Sequence, residues 1–502
     1  TAAGRESSRV SPAETVSESI GRQAGRGLRW SLLGTMTAKV GSFAMGLVLA
    51  RLLSPADFGT YAIALAATTI LMNINDVGLI AATVQWRGRL ADMAPTAGTM
   101  AAVFGVVIYG VFWLGAPLFS AAAGDRAAAS VVRILTLVIV IDGLTAVRSG
   151  ALMREFKQDK LIVANTVGLA ANAAIAIALA SQGAGAYSFA WGQLAGAAAT
   201  GVLVFVFAKV PVRFGFDRAV AAKLMRFGIP LAASLGVDAV VMNVQFMIIG
   251  RLVGATVLGY FLLAFNMSIW AQTVLGTAIR YVSVAGFSRL SEGDEEELSS
   301  GVQRSMAALV TVVAPIVALT SALAAPLVQL LYGERWVAAI PALRILVILT
   351  LGRMLIALAT DALMGAGATR ATLWLNLAWA AALIPALWVG TKLDGIRGAA
   401  TAQIVIGFFL ALPLAAYALR RIRVDLSPLP PLMVRPLIGT LLAAAVAFAV
   451  TRVAGPYPVV RLIAGGGAGL LVYLPVAVPR HQLRQVLDSV RRRRQPAGAL
   501  AE

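Results

Sequence analysis

The residues best placed to do chemistry in this 502-residue chain are charges set inside long apolar runs. Lys39, Arg133, Arg148, Arg280, Arg344 and Arg353 are the cations in those runs, and Asp76, Asp142, Asp238 and Asp361 are the anions. A charge at the centre of a bilayer costs about 2.5 to 3.5 kcal/mol on insertion scales, so each must face water, a partner or both. Amides crowd the same stretches: Asn73 and Asn75, then Asn243 and Gln245, then Asn266 and Gln272. Such a set either lines the path of a polar, charged cargo or joins helices by hydrogen bonds. Thiol and imidazole chemistry are excluded, because there is no cysteine and the one histidine, His481, lies beyond the last apolar run. No metal or other cofactor is expected, and no G-x-x-x-x-G-K-[ST] phosphate loop is present.

The elements that must position these residues are membrane spans. The chain is 59% apolar and 13% charged, with a mean hydropathy of +0.83, whereas soluble domains carry about a quarter charged residues. Runs of about 20 apolar residues, enough to cross a bilayer, recur along the whole length. Fourteen are expected: 28–50, 58–84, 96–119, 128–149, 160–181, 185–208, 226–250, 256–286, 304–331, 338–364, 371–390, 397–419, 434–453 and 458–478. The fold class is therefore an all-α polytopic membrane protein. Segment 28–50 is too long, and too polar in its flanks, for a signal peptide, and it reads as the first span.

Lys and Arg orient the chain. The loops that lead from even to odd spans and the two tails hold 28 of them, against eight on the other side, so both termini are expected in the cytoplasm. The net charge of +19 is largely this asymmetry, which leaves nucleic-acid binding unneeded. The linker at 209–225 is basic and is expected along the lipid headgroups. Arg148, Arg154, Lys157 and Lys160 form a basic cytoplasmic entrance or serve only as orientation signals. One cytoplasmic loop, "SEGDEEELSSGVQR" at 291–304, is acidic. It is a candidate contact for a partner protein or for the basic tail at 479–502, and otherwise a solvated loop or helix start. Residues 1–27 form a polar N-tail.

The chain writes one unit twice. "LARLLSPADFG" at 49–59 aligns with "IGRLVGATVLG" at 249–259, "GDR" at 124 with "GER" at 333, "RILTLVIV" at 133 with "RILVILTL" at 344, and "ALMREFKQDK" at 151 with "ALMGAGATR" at 362. Spans one to six (28–208) and seven to twelve (226–420) are then parallel copies, an arrangement that puts a transported substrate between halves. Spans thirteen and fourteen (434–478) are an appended hairpin, which lines a lateral opening for a lipid tail or pads the fold. Across the repeat, Lys39 falls beside Asp238, and Asp76 within a turn of Arg280. Each pair either meets across the central cleft, closing it or offering a cationic site when it opens, with Asp76 and Asp238 as gating charges, or its members pair within one half or snorkel to the interface. Arg133 with Arg344, and Asp142 with Arg353, are further images and read as structural.

"GLRWSLLGTMTAKVGSFAMGLVLARLLSPADFGTYAIALAATTILMNINDVGLIAATVQ" and "ALMREFKQDKLIVANTVG" resemble bacterial polysaccharide flippases, the carriers of O-antigen and exopolysaccharide repeat units within the multidrug, oligosaccharidyl-lipid and polysaccharide exporter superfamily. The resemblance covers spans one to twelve. It implies a fourteen-span, two-lobed, alternating-access transporter, not an enzyme, whose substrate is an undecaprenyl-diphosphate-linked oligosaccharide. It further implies cationic residues for the diphosphate, for which Lys39, Arg148 and Arg280 are the candidates. Asn73, Asn243, Gln245 and Asn266 are candidates for a substrate-facing role, and the acidic loop for contact with polysaccharide-assembly proteins. The rival readings are a flippase for the peptidoglycan precursor, a cation-coupled drug exporter of the same superfamily, and a membrane glycosyltransferase, which the short outer loops disfavour.

Overall fold

The structure, a computed structural model, describes residues 34–477 except 35, 76–79, 81, 84–85, 87–88, 209, 211–212 and 291–294. Among the residues picked out above, Asp76, His481, both tails and residues 291–294 of the acidic loop lie outside the described residues, as do the side chains of Asp238, Gln272 and Arg280. All regular structure among the described residues is helical. Eleven helical stretches are long and apolar enough to cross a membrane. Two of these each contain a backbone break, at Gly254 and at Asp394–Gly395. With the helix over 36–52 that precedes them all, they accommodate the fourteen expected segments.

The chain divides into two compact units, Thr1–Arg251 and Leu252–Glu502. In the first, helix α1 (36–52) turns into α2 (Pro55–Asn75) through a capping box. The Ser54 hydroxyl accepts from the Asp57 N–H at 3.3 Å, while Asp57 Oδ2 accepts from the Ser54 N–H at 2.9 Å. Pro55 supplies the first helical residue, where its missing N–H is no loss. Then follow α3 (Leu90–Ala122), α4 (Ala128–Thr136), α5 (Val138–Arg154), α6 (Gln158–Ser181) and α7 (Tyr187–Phe207). Small residues let α6 and α7 approach closely: a Cβ on Gly196 would stand 2.7 Å from the Gly168 carbonyl, and one on Gly192 would stand 2.6 Å from the Ala176 side chain. This is the small-x-x-x-small packing of membrane helices, which replaces a hydrophobic drive that lipid does not provide.

The connection leaving α7 is strapped to α3. The N–H of Gly215 donates to the Thr99 hydroxyl at 3.2 Å, and that of Asp217 donates to the Thr96 hydroxyl at 3.0 Å. Helix α8 (Arg218–Leu290) begins there, with Asp217 Oδ1 capping the N–H groups of Ala219 and Val220. Its first turns join a cluster of Met93, Ala97, Met100 and Val147 through Ala221 and Leu224. The expected interfacial linker is thus in part a packed piece of the first unit. Gly254 breaks α8 with φ 83° and ψ 168°, a conformation that in practice only glycine adopts.

The second unit holds α9 (Glu295–Ala322), α10 (Ala324–Leu331), a 3-10 turn (Glu334–Ala339), α11 (Ile340–Gly365), α12 (Thr369–Ile406), a π-helical segment (Gly407–Ala411), α13 (Leu412–Arg421), α14 (Leu429–Val453) and α15 (Pro458–Ala477). Glu295, Glu296 and Glu297 of the acidic run form the first turn of α9. Trp336, fully buried, meets Tyr260 and Tyr332 edge-on at 6.0 and 6.5 Å between ring centroids. The appended hairpin packs on α9: Leu319 and Leu323 join Ala443, Ala447, Tyr473 and Ala477, and the Tyr473 hydroxyl donates to the Thr311 carbonyl. At the near end of the same helix, Asp425 N–H donates to the Ser299 hydroxyl at 2.6 Å, and Gln303 Nε2 donates to the Asp425 carbonyl at 2.7 Å.

Candidate functional site

In the first unit the best-defined candidate is Arg148. It lies on the last turns of α5, and α7 lies beside it because Leu152, Ala164 and Val204 pack together below. Its guanidinium sits 4.0 Å over the Phe205 ring, and Nη2 reaches the Val210 carbonyl at 3.5 Å. The residue is only 7% exposed, and its buried Nε has no hydrogen-bond partner. Among the described residues no carboxylate pairs with it. A guanidinium held by an aromatic face and one carbonyl keeps its charge uncompensated and several donors unused.

Three other sequence candidates turn their amides onto their own helices. Asn73 donates to the Thr69 carbonyl at 2.8 Å, buried Asn243 to Ala239 at 2.8 Å, and buried Gln245 to Met242 at 2.9 Å. Lys39 is exposed on α1 and, among the described residues, makes no hydrogen bond or ion pair. Asn266 is exposed on α8. Asp76, and the side chains of Asp238 and Arg280, fall outside the description, so the two expected charge pairs are not observed. Asn75, beside the candidate Asn73, is the more deeply placed of the two. It is buried among α3 and α5, reaches the Ile139 carbonyl at 3.5 Å, and leaves Oδ1 unpartnered.

The second unit holds a matching cation that sequence reading had set aside as structural. Arg353 on α11 donates from Nη2 to Gln403 Oε1 at 2.9 Å and lies 5.5 Å from the Phe265 ring. Gln403 is buried one turn before the π-helical segment, the kind of local irregularity that often marks a working site. Beside it the Thr350 hydroxyl reaches the Ser268 carbonyl at 3.4 Å. No carboxylate among the described residues pairs with Arg353 either. The 50-residue separation of Arg353 and Gln403 hides this pair from the sequence.

Arg133 and Arg344, the outer pair of repeat images, both stack on aromatic rings. Arg133 lies 4.2 Å over Trp113 and donates from Nε to the Trp113 carbonyl at 3.0 Å, and Arg344 lies 5.8 Å over Phe448. Each of the two units thus holds arginines against rings and neutral oxygens.

The sequence model of a family described as "Polysaccharide biosynthesis protein" matches residues 48–341. The chain belongs to this family. Two relatives agree with the assignment. The chain is similar to the "Succinoglycan biosynthesis transport protein ExoT" of Rhizobium meliloti (strain 1021), 27% identical over 97% of this chain and 98% of that one. It is also similar to the "Lipopolysaccharide biosynthesis protein WzxC" of Escherichia coli (strain K12), 22% identical over 76% and 77%. Among solved structures, "Lipid II flippase MurJ, inward closed conformation" covers 92% of this chain and 100% of its own, with TM-score 0.76 and 12% identity. An inward-facing multidrug resistance MATE family transporter of the MOP superfamily covers 78% and 96%, with TM-score 0.61 and 16% identity. The chain thus has the fold of these two transporters.

Proposed function

We propose that the chain is a flippase that moves an undecaprenyl-diphosphate-linked oligosaccharide from the cytoplasmic to the outer leaflet for polysaccharide assembly. The observation that carries this reading is the family match, backed by similarity to a succinoglycan transport protein over nearly all of both chains. The arginines support it. Arg148 and Arg353 are cations inside apolar helices with no described carboxylate to neutralise them, and a diphosphate is the dianionic group that would use them. Lys39 and Arg280 are proposed to serve the same headgroup, while Asn73, Asn243, Gln245 and Asn266 offer hydrogen bonds to the glycan.

The lobes are 28–208 and 226–420, with 434–478 as the appended hairpin and both termini in the cytoplasm of the inner membrane. Transport proceeds by alternating access, with no bond made or broken. The lipid tail stays in the bilayer while the headgroup takes the wet path. In proteoliposomes, a fluorescent lipid-linked oligosaccharide becomes accessible to a membrane-impermeant quencher only when the protein is present. A preparation that moves lipid II and restores growth to a strain depleted of that activity, yet moves no lipid-linked oligosaccharide, would favour the peptidoglycan-precursor reading, since MurJ shares the fold.

A further inference from the structure

The strap between α7 and α8 carries a feature that transport leaves unused. Phe214 and Phe216 are 73% and 69% exposed, although they sit within ten residues of the last helical residue of α7, Phe207. Alternate N–H groups, those of Gly215 and Asp217, donate to Thr99 and Thr96 on one face of α3. A Cβ on Gly215 would stand 3.2 Å from Pro95, so the strap lies close along the helix. The two aromatic side chains are therefore held out on a fixed backbone and do not collapse onto the protein.

Around them the charge is of one sign. Arg213, Arg218, Lys223 and Arg226 are exposed, with Lys223 Nζ 4.4 Å over the Trp86 ring. Within 213–218 the acid, Asp217, is already committed to capping α8, and Asp92 on α3 is paired with Arg89. Aromatic rings beside uncompensated cations suit the zone where acyl chains meet anionic headgroups, because the ring enters the boundary while the cation stays at the phosphate.

We infer that residues 213–218 form an anionic-lipid anchor, with Phe214 and Phe216 inserted into the cytoplasmic leaflet and Arg213 and Arg218 on its phosphates. The side of the membrane rests on the orientation proposed above; the insertion itself does not. The anchor fixes the first unit against one leaflet, next to the point where Arg148 meets Val210 of the same connection.

The chain has no cysteine, so single cysteines introduced as Phe214→Cys, Phe216→Cys and Ala219→Cys can each carry a spin label without a background. In nanodiscs of phosphatidylglycerol, labels at 214 and 216 collide more with oxygen than with a water-soluble nickel complex, and the label at 219 does the reverse. Replacing the phosphatidylglycerol by phosphatidylcholine, or adding R213Q with R218Q, moves the first two labels towards water. Labels at both 214 and 216 that favour the nickel complex in anionic discs overturn the anchor, as do depths that ignore lipid charge. Labels shielded from both probes point to a protein partner and overturn it equally. Reaction of the 214 cysteine with an impermeant thiol reagent added outside intact cells refutes the orientation alone and leaves the depth measurement standing.

Discussion

Arg148 and Arg353 make opposite demands on stability and transport, which allows the two to be separated. A buried charge with no counter-ion loses hydration that a ring and one oxygen repay only in part, so an apolar residue of similar volume is often neutral or stabilising. Arg353→Met is expected to hold or raise the melting temperature in detergent while lowering transport at least about tenfold, equivalent to about 1.4 kcal/mol in the transport step. Arg148→Gln should act alike on transport, and Arg148→Lys should recover only part, since a lysine keeps the charge but loses the planar stack. A fall of many degrees in melting temperature with flipping intact would reassign either arginine to structure. Asp425 behaves differently. Its carboxyl accepts from the Ser427 hydroxyl at 2.6 Å and the Ser427 N–H at 2.9 Å, which holds its pKa below the usual carboxylate range. A depressed folded value means that the stabilisation is complete above the unfolded pKa of about 3.9 and disappears as pH falls through the folded one. Protection of the Ser427 amide from hydrogen exchange, relative to Asp425→Asn, should be flat from about pH 8 to 5 and fade only in stronger acid. A change between pH 5 and 7 would contradict this.

At the level of elements, the two repeats solve the same corner in different ways. Ser54, Pro55 and Asp57 cap a new helix, whereas the second copy interrupts its helix with the non-helical backbone of Gly254. A Cβ on Gly254 would meet nothing within 4 Å, so the cost of Gly254→Ala is backbone strain alone. That strain is about 1 to 3 kcal/mol, more than the 0.4 to 1 kcal/mol that alanine recovers by restricting the unfolded chain. The variant should therefore melt lower. Gly196→Leu should do more damage, because a leucine there cannot coexist with the Gly168 carbonyl, and α6 and α7 must part. Proteolysis between them should rise, and an unchanged digestion pattern would argue against the close packing. The spans themselves were legible in the sequence because bilayer thickness fixes their length, and Ser54-Pro55-Ala56-Asp57 announced its helix through capping chemistry. The strap was not legible. Thr96 and Thr99 look like ordinary span residues, and nothing in their spacing says that their hydroxyls receive a backbone more than a hundred residues away. Gln403 was equally silent, since contact across neighbouring helices leaves no trace in periodicity.

For the whole molecule, the charge of the proposed cargo predicts how energy enters. A diphosphate moving outward carries negative charge down a potential that is negative inside, worth about 2.3 kcal/mol per charge per 100 mV. Collapsing the potential while keeping the pH gradient should slow flipping several-fold, and an unchanged rate would remove the potential as driver. Lys39→Asp with Asp238→Lys tests the expected pairing: each single reversal should abolish transport and the double restore part of it. Failure of the double would show that the two charges work separately.

The hairpin of α14 and α15 has a consequence in time. Synthesis proceeds from the first residue to the last, so α9 enters the bilayer long before the helices that cover Leu319 and Leu323 and offer a hydroxyl to Thr311. Until Tyr473 has left the ribosome, that flank of the second unit faces lipid alone. Helices α14 and α15 act as the closing seam of assembly, and a ribosome that stops short of them releases a carrier with its side still open.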